Sequence, residues 1–177
     1  MTKSTLIVID IQREYFTPER PFYLAHGAAS LERARAVLDV ARTREFNIVH
    51  VQHLQDGAVF NKDGELSQFE RGFEPREGEH WIIKSQLSAY TNPAYRQLIE
   101  GFKDGPIYVI GYGSSMCCLA TIVTGASMGH RYTLIADASW ARSPVGEITE
   151  EAMHRQMVAA LAIHGSICQS GDIIGPH

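Results

Sequence analysis

The chain of 177 residues carries a formal net charge of −4, and 45% of its residues are hydrophobic while 20% are charged. These values exclude an extensively disordered or strongly basic protein, so we expect residues 1–177 to form one globular domain that has no nucleic-acid partner. The three cysteines are an odd number in a chain that shows no export signal, which favours the reducing cytoplasm over a disulfide-stabilised secreted fold.

The first predicted element is a strand followed at once by an acidic residue. Residues 6–9 form an uninterrupted apolar run, typical of a strand covered on both faces in a parallel sheet. We interpret this segment as a first strand rather than a signal peptide, because no small-residue cleavage site accompanies it. Asp10 follows at the carboxyl end of the strand, where α/β proteins place their sites, although a loop or cap role is the alternative. The segment to Ala29 is predicted to be a long loop that shapes a pocket.

A helix and a second strand come next. Apolar residues at helical spacing predict a helix from Ser30 through Phe46, and residues 48–53 are the second strand, with His53 at its carboxyl end. The segment from Leu54 to Glu79 is rich in polar residues and has few apolar anchors. We therefore predict a mobile surface excursion that covers the site.

The third strand is short and ends in a lysine. Residues 80–84 read His-Trp-Ile-Ile-Lys, so Lys84 is placed like Asp10, although a solvated lysine is the default alternative. Asn92 and Pro93 then predict the start of a helix, with the asparagine as cap and the proline at the first helical position. Gly105 is predicted to end that helix.

The longest uncharged stretch of the chain runs from residue 105 to residue 129. It begins as an apolar run, continues through a turn rich in Gly and Ser, and ends in an Ala/Thr/Leu/Met segment, which predicts a strand, a tight turn and a buried helix. The many Gly, Ser and Thr residues argue against a membrane span, so we expect no membrane partner.

Two adjacent cysteines, Cys117 and Cys118, stand where this helix begins. Backbone N–H groups and the positive end of the helix dipole favour a thiolate at that place, which makes Cys117 a candidate nucleophile. A buried structural cysteine is the alternative. Cys118 points about 100° away on the helix and is predicted to face the sheet as a small hydrophobic residue.

The remaining elements complete an alternating pattern. We predict a fifth strand over residues 131–136 that ends at Asp137, a last helix from Thr149 through His164, and a short final strand over residues 166–168. Strands that alternate with helices predict an α/β fold, an open parallel sheet with helices on both faces.

Asp10, Lys84 and Cys117 therefore all lie at carboxyl ends of predicted strands. Thiol-mediated hydrolysis needs this set: a thiolate attacks an electrophilic carbon, a carboxylate shuttles protons, and an ammonium group stabilises the thiolate. The more common Cys–His arrangement has only His53 in an equally good position.

The same segments resemble a known superfamily over nearly the whole chain. Residues 8–12 followed by Phe16, Lys84 followed by residues 88–90, and residues 111–121 around Cys117 resemble the motifs of the isochorismatase-like cysteine hydrolases. The resemblance implies a three-layer α/β/α fold with a six-stranded, mostly parallel, Rossmann-like sheet. It also implies that Asp10, Lys84 and Cys117 are the catalytic residues.

The resemblance implies further features of the site. A cis peptide bond before Gly113 is expected to direct the backbone N–H groups of Gly113 and Cys117 to one point as an oxyanion hole. The expected reaction is hydrolysis of a small amide or ureide through a thioester-like acyl-enzyme. Homo-oligomers with sites near subunit interfaces are also expected, and Trp140 and Arg142 are candidates to contribute to a neighbouring subunit's pocket.

No metal or other cofactor is expected. Nicotinamidases of this superfamily bind a divalent metal through an Asp-x-His pair and a further histidine, but here Val51 stands in the Asp position and His53 alone remains. A site without its carboxylate binds metal weakly.

Motif positions also suggest which side chains border the substrate, with core packing as the alternative for each. The candidate substrate-binding residues are Phe16, His53, Trp81, Tyr90, Tyr112 and Met116. The identity of the small-molecule substrate is left open.

Three other functions compete with amide hydrolysis. Vinyl-ether hydrolysis of the isochorismatase type is possible on the same fold. A thiol redox role for Cys117 and Cys118 is weakened because adjacent cysteines in a helix close a strained disulfide ring. A phosphate loop at residues 111–114 is disfavoured because the segment has neither the G-x-G-x-x-G spacing nor a P-loop lysine.

Overall fold

A computed structural model describes residues 2–144 and 146–175. Its six strands pair in parallel into one sheet with the order β3-β2-β1-β4-β5-β6. The strands are β1 (Thr5–Ile9), β2 (Asn47–His53), β3 (His80–Lys84), β4 (Ile107–Tyr112), β5 (Tyr132–Trp140) and β6 (Ser166–Cys168). The helices are α1 (Ala28–Thr43), α2 (Pro93–Phe102), α3 (Leu119–Ser127), α4 (Glu150–Leu161) and α5 (Ser170–Ile174). The predicted fold class is confirmed.

Two apolar layers, one on each face of the sheet, hold the helices. Every residue of β1 is fully buried, and successive side chains point to opposite faces. Leu6 and Val8 pack in the layer that contains α1 and α5, whereas Ile7 and Ile9 pack in the layer that contains α2, α3 and α4. Burial on both faces explains why this strand reads as an unbroken apolar run rather than an alternating one.

Helix starts follow their predicted caps. The Asn92 side chain accepts a hydrogen bond from the backbone N–H of Ala94 at 2.8 Å, and Pro93 is the first residue of α2. Thr149 caps α4 in the same way. Helix α1 begins at Ala28, two residues before the predicted start.

Strand β5 is longer than predicted, so Asp137 does not end it. After a register shift, Ser139 and Trp140 pair again with β4, which extends β5 past the predicted end. The Asp137 carboxylate instead accepts two hydrogen bonds from Ser170 at the start of α5, both at 2.6 Å.

The excursion after β2 is better anchored than its composition indicates. Phe60, Phe69 and Phe73 are buried in this segment, so the prediction of few apolar anchors was wrong. The prediction that this segment covers the site agrees with the structure, because Phe60 lines the cavity described below.

Strand order reverses between β1 and β4, so the connections that leave their carboxyl ends diverge. Such a switch point opens a crevice in parallel sheets. Gly111 permits the close approach of the two strands: its φ is +131°, and a Cβ there would lie 1.9 Å from the Ile9 carbonyl oxygen. Among the described residues, no helix combines the length and apolar character that a membrane crossing requires.

Candidate active site

Lys84 is the centre of the site. Its ammonium nitrogen lies 2.8 Å from Asp10 Oδ2, 2.9 Å from His53 Nδ1 and 3.2 Å from Cys117 Sγ. An ammonium group has three N–H donors, so each is directed to one partner. The structure thus brings the three predicted catalytic residues together, at the crevice between β1 and β4.

Asp10 is held in an unusual backbone conformation directly after β1. Its φ is +51°, in the left-handed region that few residues other than glycine adopt, and its side chain is fully buried. Oδ2 binds Lys84, whereas Oδ1 is buried without a hydrogen-bond partner among the described residues. One carboxylate oxygen is therefore free to accept a proton.

Cys117 comes from the turn that follows β4. Residues 114–118 form a single π-helical turn that leads into α3, and the Cys117 side chain borders the cavity. Cys118 is fully buried in the apolar layer beside α2 and α3, as its predicted orientation requires.

Burial and neighbouring charges act in opposite directions on the pKa values of the Cys117 thiol and the Lys84 ammonium group. Burial and the Asp10 carboxylate raise the pKa of Cys117 well above its ordinary value, and Lys84 acts in the opposite direction. Burial alone lowers the pKa of Lys84, but Asp10 and Cys117 outweigh it, so that pKa is raised. These directions favour a thiol over a thiolate beside the Lys84–Asp10 ion pair, whereas the sequence predicts that the helix start and Lys84 favour the thiolate.

His53 is a neutral acceptor for Lys84. Its Nε2 lies 3.2 Å from Gln55 Oε1, an acceptor, which assigns the ring proton to Nε2 and leaves Nδ1 to accept from the ammonium group. Burial, followed by the charge of Lys84, lowers the pKa of His53.

Three contacts that the sequence did not reveal hold the loops around the site. The buried Gln12 side chain donates to the carbonyl oxygens of His53 and Ser67 and accepts from the His53 N–H, which ties three segments together. Ser114 donates to His154 Nδ1 at 2.8 Å, because His154 Nε2 donates to a carbonyl of β5. The backbone N–H of Ala89, five residues after Lys84, donates to the Thr121 hydroxyl.

The turn before Cys117 has the backbone that the resemblance implies. The Tyr112–Gly113 peptide bond is cis. The Gly113 N–H has no backbone acceptor among the described residues, and the Gly113 carbonyl accepts from the N–H groups of Met116 and Cys118.

A cavity of about 230 Å³ opens beside Cys117. Its lining is aromatic, aliphatic or neutral polar and comprises Tyr15, Phe22, His53, Gln55, Phe60, Ser85, Gln86, Leu87, Met116 and Cys117. His53 and Met116 are the two members of the predicted substrate-binding set that line it. Tyr15, Phe22, Gln55 and Phe60 were not predicted; of these only Tyr15 carries a local signal, since it lies five residues after Asp10.

The other four predicted substrate-binding residues do not line this cavity. Trp81 points outward from edge strand β3 and is 54% exposed, because alternation along that strand buries Ile82 and Lys84 instead. The Tyr90 hydroxyl binds His130 and Tyr132 in the core layer beside α3.

Tyr112 and Phe16 pack on the α1 side of the sheet. The Tyr112 hydroxyl lies 3.0 Å from Ser30 Oγ. The rings of Phe16 and Tyr112 meet edge to face with centroids 5.2 Å apart. Within the single chain, Trp140 donates to Glu150, and the Arg142 guanidinium lies 5.3 Å from the Phe22 ring centroid.

A metal ion does not fit the described site. One potential ligand atom each from Asp10, His53 and Cys117 lies within 4.8 Å of the others. However, the Lys84 ammonium group is hydrogen-bonded to all three residues, so a cation bound there would have to displace it.

We therefore predict that treatment with EDTA leaves the activity of the protein unchanged. The measurement is turnover before and after chelation, with the metal content of the purified protein determined in parallel. Stoichiometric zinc or iron that is lost together with activity would contradict this prediction.

Comparison with known proteins identifies relatives of this chain. The sequence model of the Isochorismatase domain matches residues 4–168. Streptothricin hydrolase of Streptomyces noursei is 29% identical over 138 residues, which cover 76% of this chain and 49% of that protein. The chain thus spans about half the length of this relative. Maleamate amidohydrolase of Pseudomonas putida is 24% identical over 151 residues, which cover 76% of this chain and 71% of the relative.

Solved structures agree with the sequence match. An isochorismatase from Pseudomonas putida KT2440 is 30% identical and superposes with a TM-score of 0.85 over 96% of this chain and 89% of its own. A cysteine hydrolase from Pseudomonas syringae shares the fold, with a TM-score of 0.87 at 18% identity over 97% of this chain and 91% of its own. From the match over residues 4–168 and these relatives, we conclude that the chain belongs to the isochorismatase family of hydrolases.

Proposed function

We propose that this chain hydrolyses the C–N bond of a small, uncharged amide or ureide through a thioester at Cys117. The observation that carries the proposal is the position of Lys84, whose ammonium group binds the Asp10 carboxylate and the Cys117 sulfur beside a cavity. The activities in the names of the two curated relatives, a hydrolase and an amidohydrolase, support amide hydrolysis as the reaction class.

The first half of the reaction transfers the acyl group to sulfur. As Cys117 attacks the carbonyl carbon, its proton passes to Asp10, which has Oδ1 free, and the C=O electron pair moves to the oxygen. The carbonyl then re-forms while Asp10 returns the proton to the leaving nitrogen, so ammonia or an amine departs and a thioester remains.

The second half releases the acid. Asp10 takes a proton from water, the hydroxide attacks the thioester carbon, and Cys117 leaves as a thiolate that regains its proton from Asp10. Lys84 lowers the cost of the thiolate in both halves, since its ammonium group lies 3.2 Å from Sγ.

The cavity supports an uncharged substrate. No Lys, Arg, Asp or Glu side chain of the described residues lines it, and the pKa of His53 is lowered, so the histidine is neutral at neutral pH. Burying a carboxylate or an ammonium group there without an opposite charge is costly. A volume of about 230 Å³ corresponds to about eight water molecules at about 30 Å³ each, which sets the scale of the substrate.

The competing functions find less support. Isochorismate carries two carboxylates, and no cationic side chain in the described part of the chain lines the cavity to receive them. A redox pair would need two sulfurs that meet, but Cys117 borders the cavity and Cys118 packs in the core.

The test is a panel of small primary amides and ureides, each in an uncharged form and in a matched form that bears a carboxylate, with ammonia release as the readout. We expect turnover of uncharged members, a kcat/KM at least about 100-fold lower for the charged partners, and no release by Cys117→Ala. Turnover confined to carboxylate-bearing members, or no turnover of any amide or ureide, would refute the proposed substrate class.

A further inference from the structure

Within the part of the chain that the structure describes, one buried tyrosine near the site has no side-chain hydrogen-bond partner, unlike the other buried tyrosines. Buried tyrosine hydroxyls usually find a hydrogen-bond partner. Those of four buried tyrosines do so with other side chains: Tyr112 with Ser30, and Tyr90, Tyr95 and Tyr132 in one network. The Tyr15 side chain is equally buried, with 2% of its surface exposed, yet the hydrogen bond that acts on its hydroxyl comes from the backbone of Gly113.

Packing fixes the place of this hydroxyl group. The Tyr15 ring contacts the rings of Phe22, Phe60 and Tyr112, with centroids 6.0, 5.3 and 5.6 Å away. A Cβ built on Gly113 would lie 4.0 Å from the hydroxyl oxygen. Tyr15 and Cys117 line the same cavity, which is the space where a substrate carbonyl must lie for attack by sulfur.

We propose that the Tyr15 hydroxyl, which accepts the hydrogen bond of the Gly113 N–H, donates its own proton to the substrate oxyanion alongside the backbone N–H of Cys117. Burial raises the pKa of Tyr15 well above 10, and the nearby Cys117 and Asp10 act in the same direction, so the phenol keeps its proton at neutral pH and donates. The inference rests on Cys117 as the nucleophile of the proposed function, and the role is catalytic because the group contacts the reacting oxygen.

Two reactions of the Cys117 thiol distinguish a donor to the oxyanion from a residue that acts on the thiol itself. In acylation by p-nitrophenyl acetate, the Cys117 thiol passes its proton to Asp10 as the sulfur attacks the carbonyl carbon, the C=O electrons pass to the oxygen, and p-nitrophenolate leaves as the carbonyl re-forms. In alkylation by iodoacetamide, Cys117 displaces iodide from a saturated carbon and no oxyanion forms. An oxyanion donor accelerates the first reaction and not the second.

The experiment compares wild type with Tyr15→Phe and, as a matched control, Tyr112→Phe. Tyr15→Phe removes one oxygen atom, whose partner among the described residues is the backbone of Gly113 and not a side chain, so the fold is expected to survive, which thermal unfolding checks. Acylation is followed as the burst of p-nitrophenolate, and alkylation by mass spectrometry of the Cys117 peptide. We expect Tyr15→Phe to slow acylation by about 100-fold, the effect of losing one oxyanion donor, with alkylation within about twofold of wild type and Tyr112→Phe near wild type in both reactions.

Equal acylation rates in Tyr15→Phe and wild type would overturn the proposal. An equal loss of acylation and alkylation would also overturn it, because Tyr15 would then act on the thiol rather than on the oxyanion. These outcomes do not depend on the natural substrate: an inactive amide panel combined with an intact wild-type burst would refute the proposed amide substrate and leave the Tyr15 comparison valid.

Discussion

Cys117→Ala and Asp10→Asn are each expected to lower turnover by about 10⁴-fold or more while the protein stays folded. The first change removes the nucleophile. The second keeps the shape of Asp10 but removes the carboxylate that receives the thiol proton, and residues that act as one unit fail together. Turnover of an accepted amide and thermal unfolding of each variant are the measurements.

Cys118→Val is the matched control for this prediction. Cys118 is adjacent in sequence but fully buried in the apolar layer, where a side chain of similar size and no sulfur is tolerated. Near-wild-type turnover is expected. Activity that persists in Cys117→Ala and is lost in the folded Cys118→Val variant would reassign the nucleophile.

The meeting of the three proposed catalytic residues was predictable because short-range sequence signals place each of them. Asp10 follows a buried strand, Lys84 ends the next strand but one, and Cys117 stands where a helix begins after β4. Parallel strands bring their carboxyl ends to one edge of the sheet. Convergence therefore follows from the alternation of strands and helices, without knowledge of any side-chain contact.

The walls of the cavity were not predictable in this way. Phe22 and Phe60 come from loops, whose side-chain directions depend on contacts made across the chain. Tyr90 lies close to Lys84 in sequence, but its ring turns into the core, where its hydroxyl binds His130 and Tyr132. Position relative to the strand ends thus predicted that Asp10, Lys84 and Cys117 meet, but it did not predict which loop side chains line the cavity.

The direction in which the pKa of Cys117 is shifted also could not be predicted without the structure. From the sequence, the helix start and Lys84 favour the thiolate. The structure adds complete burial of the Asp10 carboxylate and nearly complete burial of the thiol, which together raise the pKa of Cys117. Lys84 is the group that opposes this rise in the pKa of Cys117, so the proposed mechanism depends on its charge.

Lys84→Met is expected to move the pH dependence of Cys117 alkylation upward by about one unit or more, the scale expected for one opposite charge in contact. The methionine fills the space of the lysine stem but carries no charge. Asp10→Asn is expected to leave the profile in place or to move it downward, because the carboxylate raises the pKa of the thiol. Lys62→Met, which removes an exposed lysine paired with Asp56, is the control for loss of one positive charge.

The pH profile of iodoacetamide modification at the Cys117 peptide, measured for wild type, Lys84→Met, Asp10→Asn and Lys62→Met, tests the central claim most directly. The account predicts an upward shift for Lys84→Met, no shift or a downward one for Asp10→Asn, and no shift for Lys62→Met. A folded Lys84→Met variant with the wild-type profile would contradict it, and the charge partner of the thiol would then have to be sought elsewhere, with His53 as the first candidate.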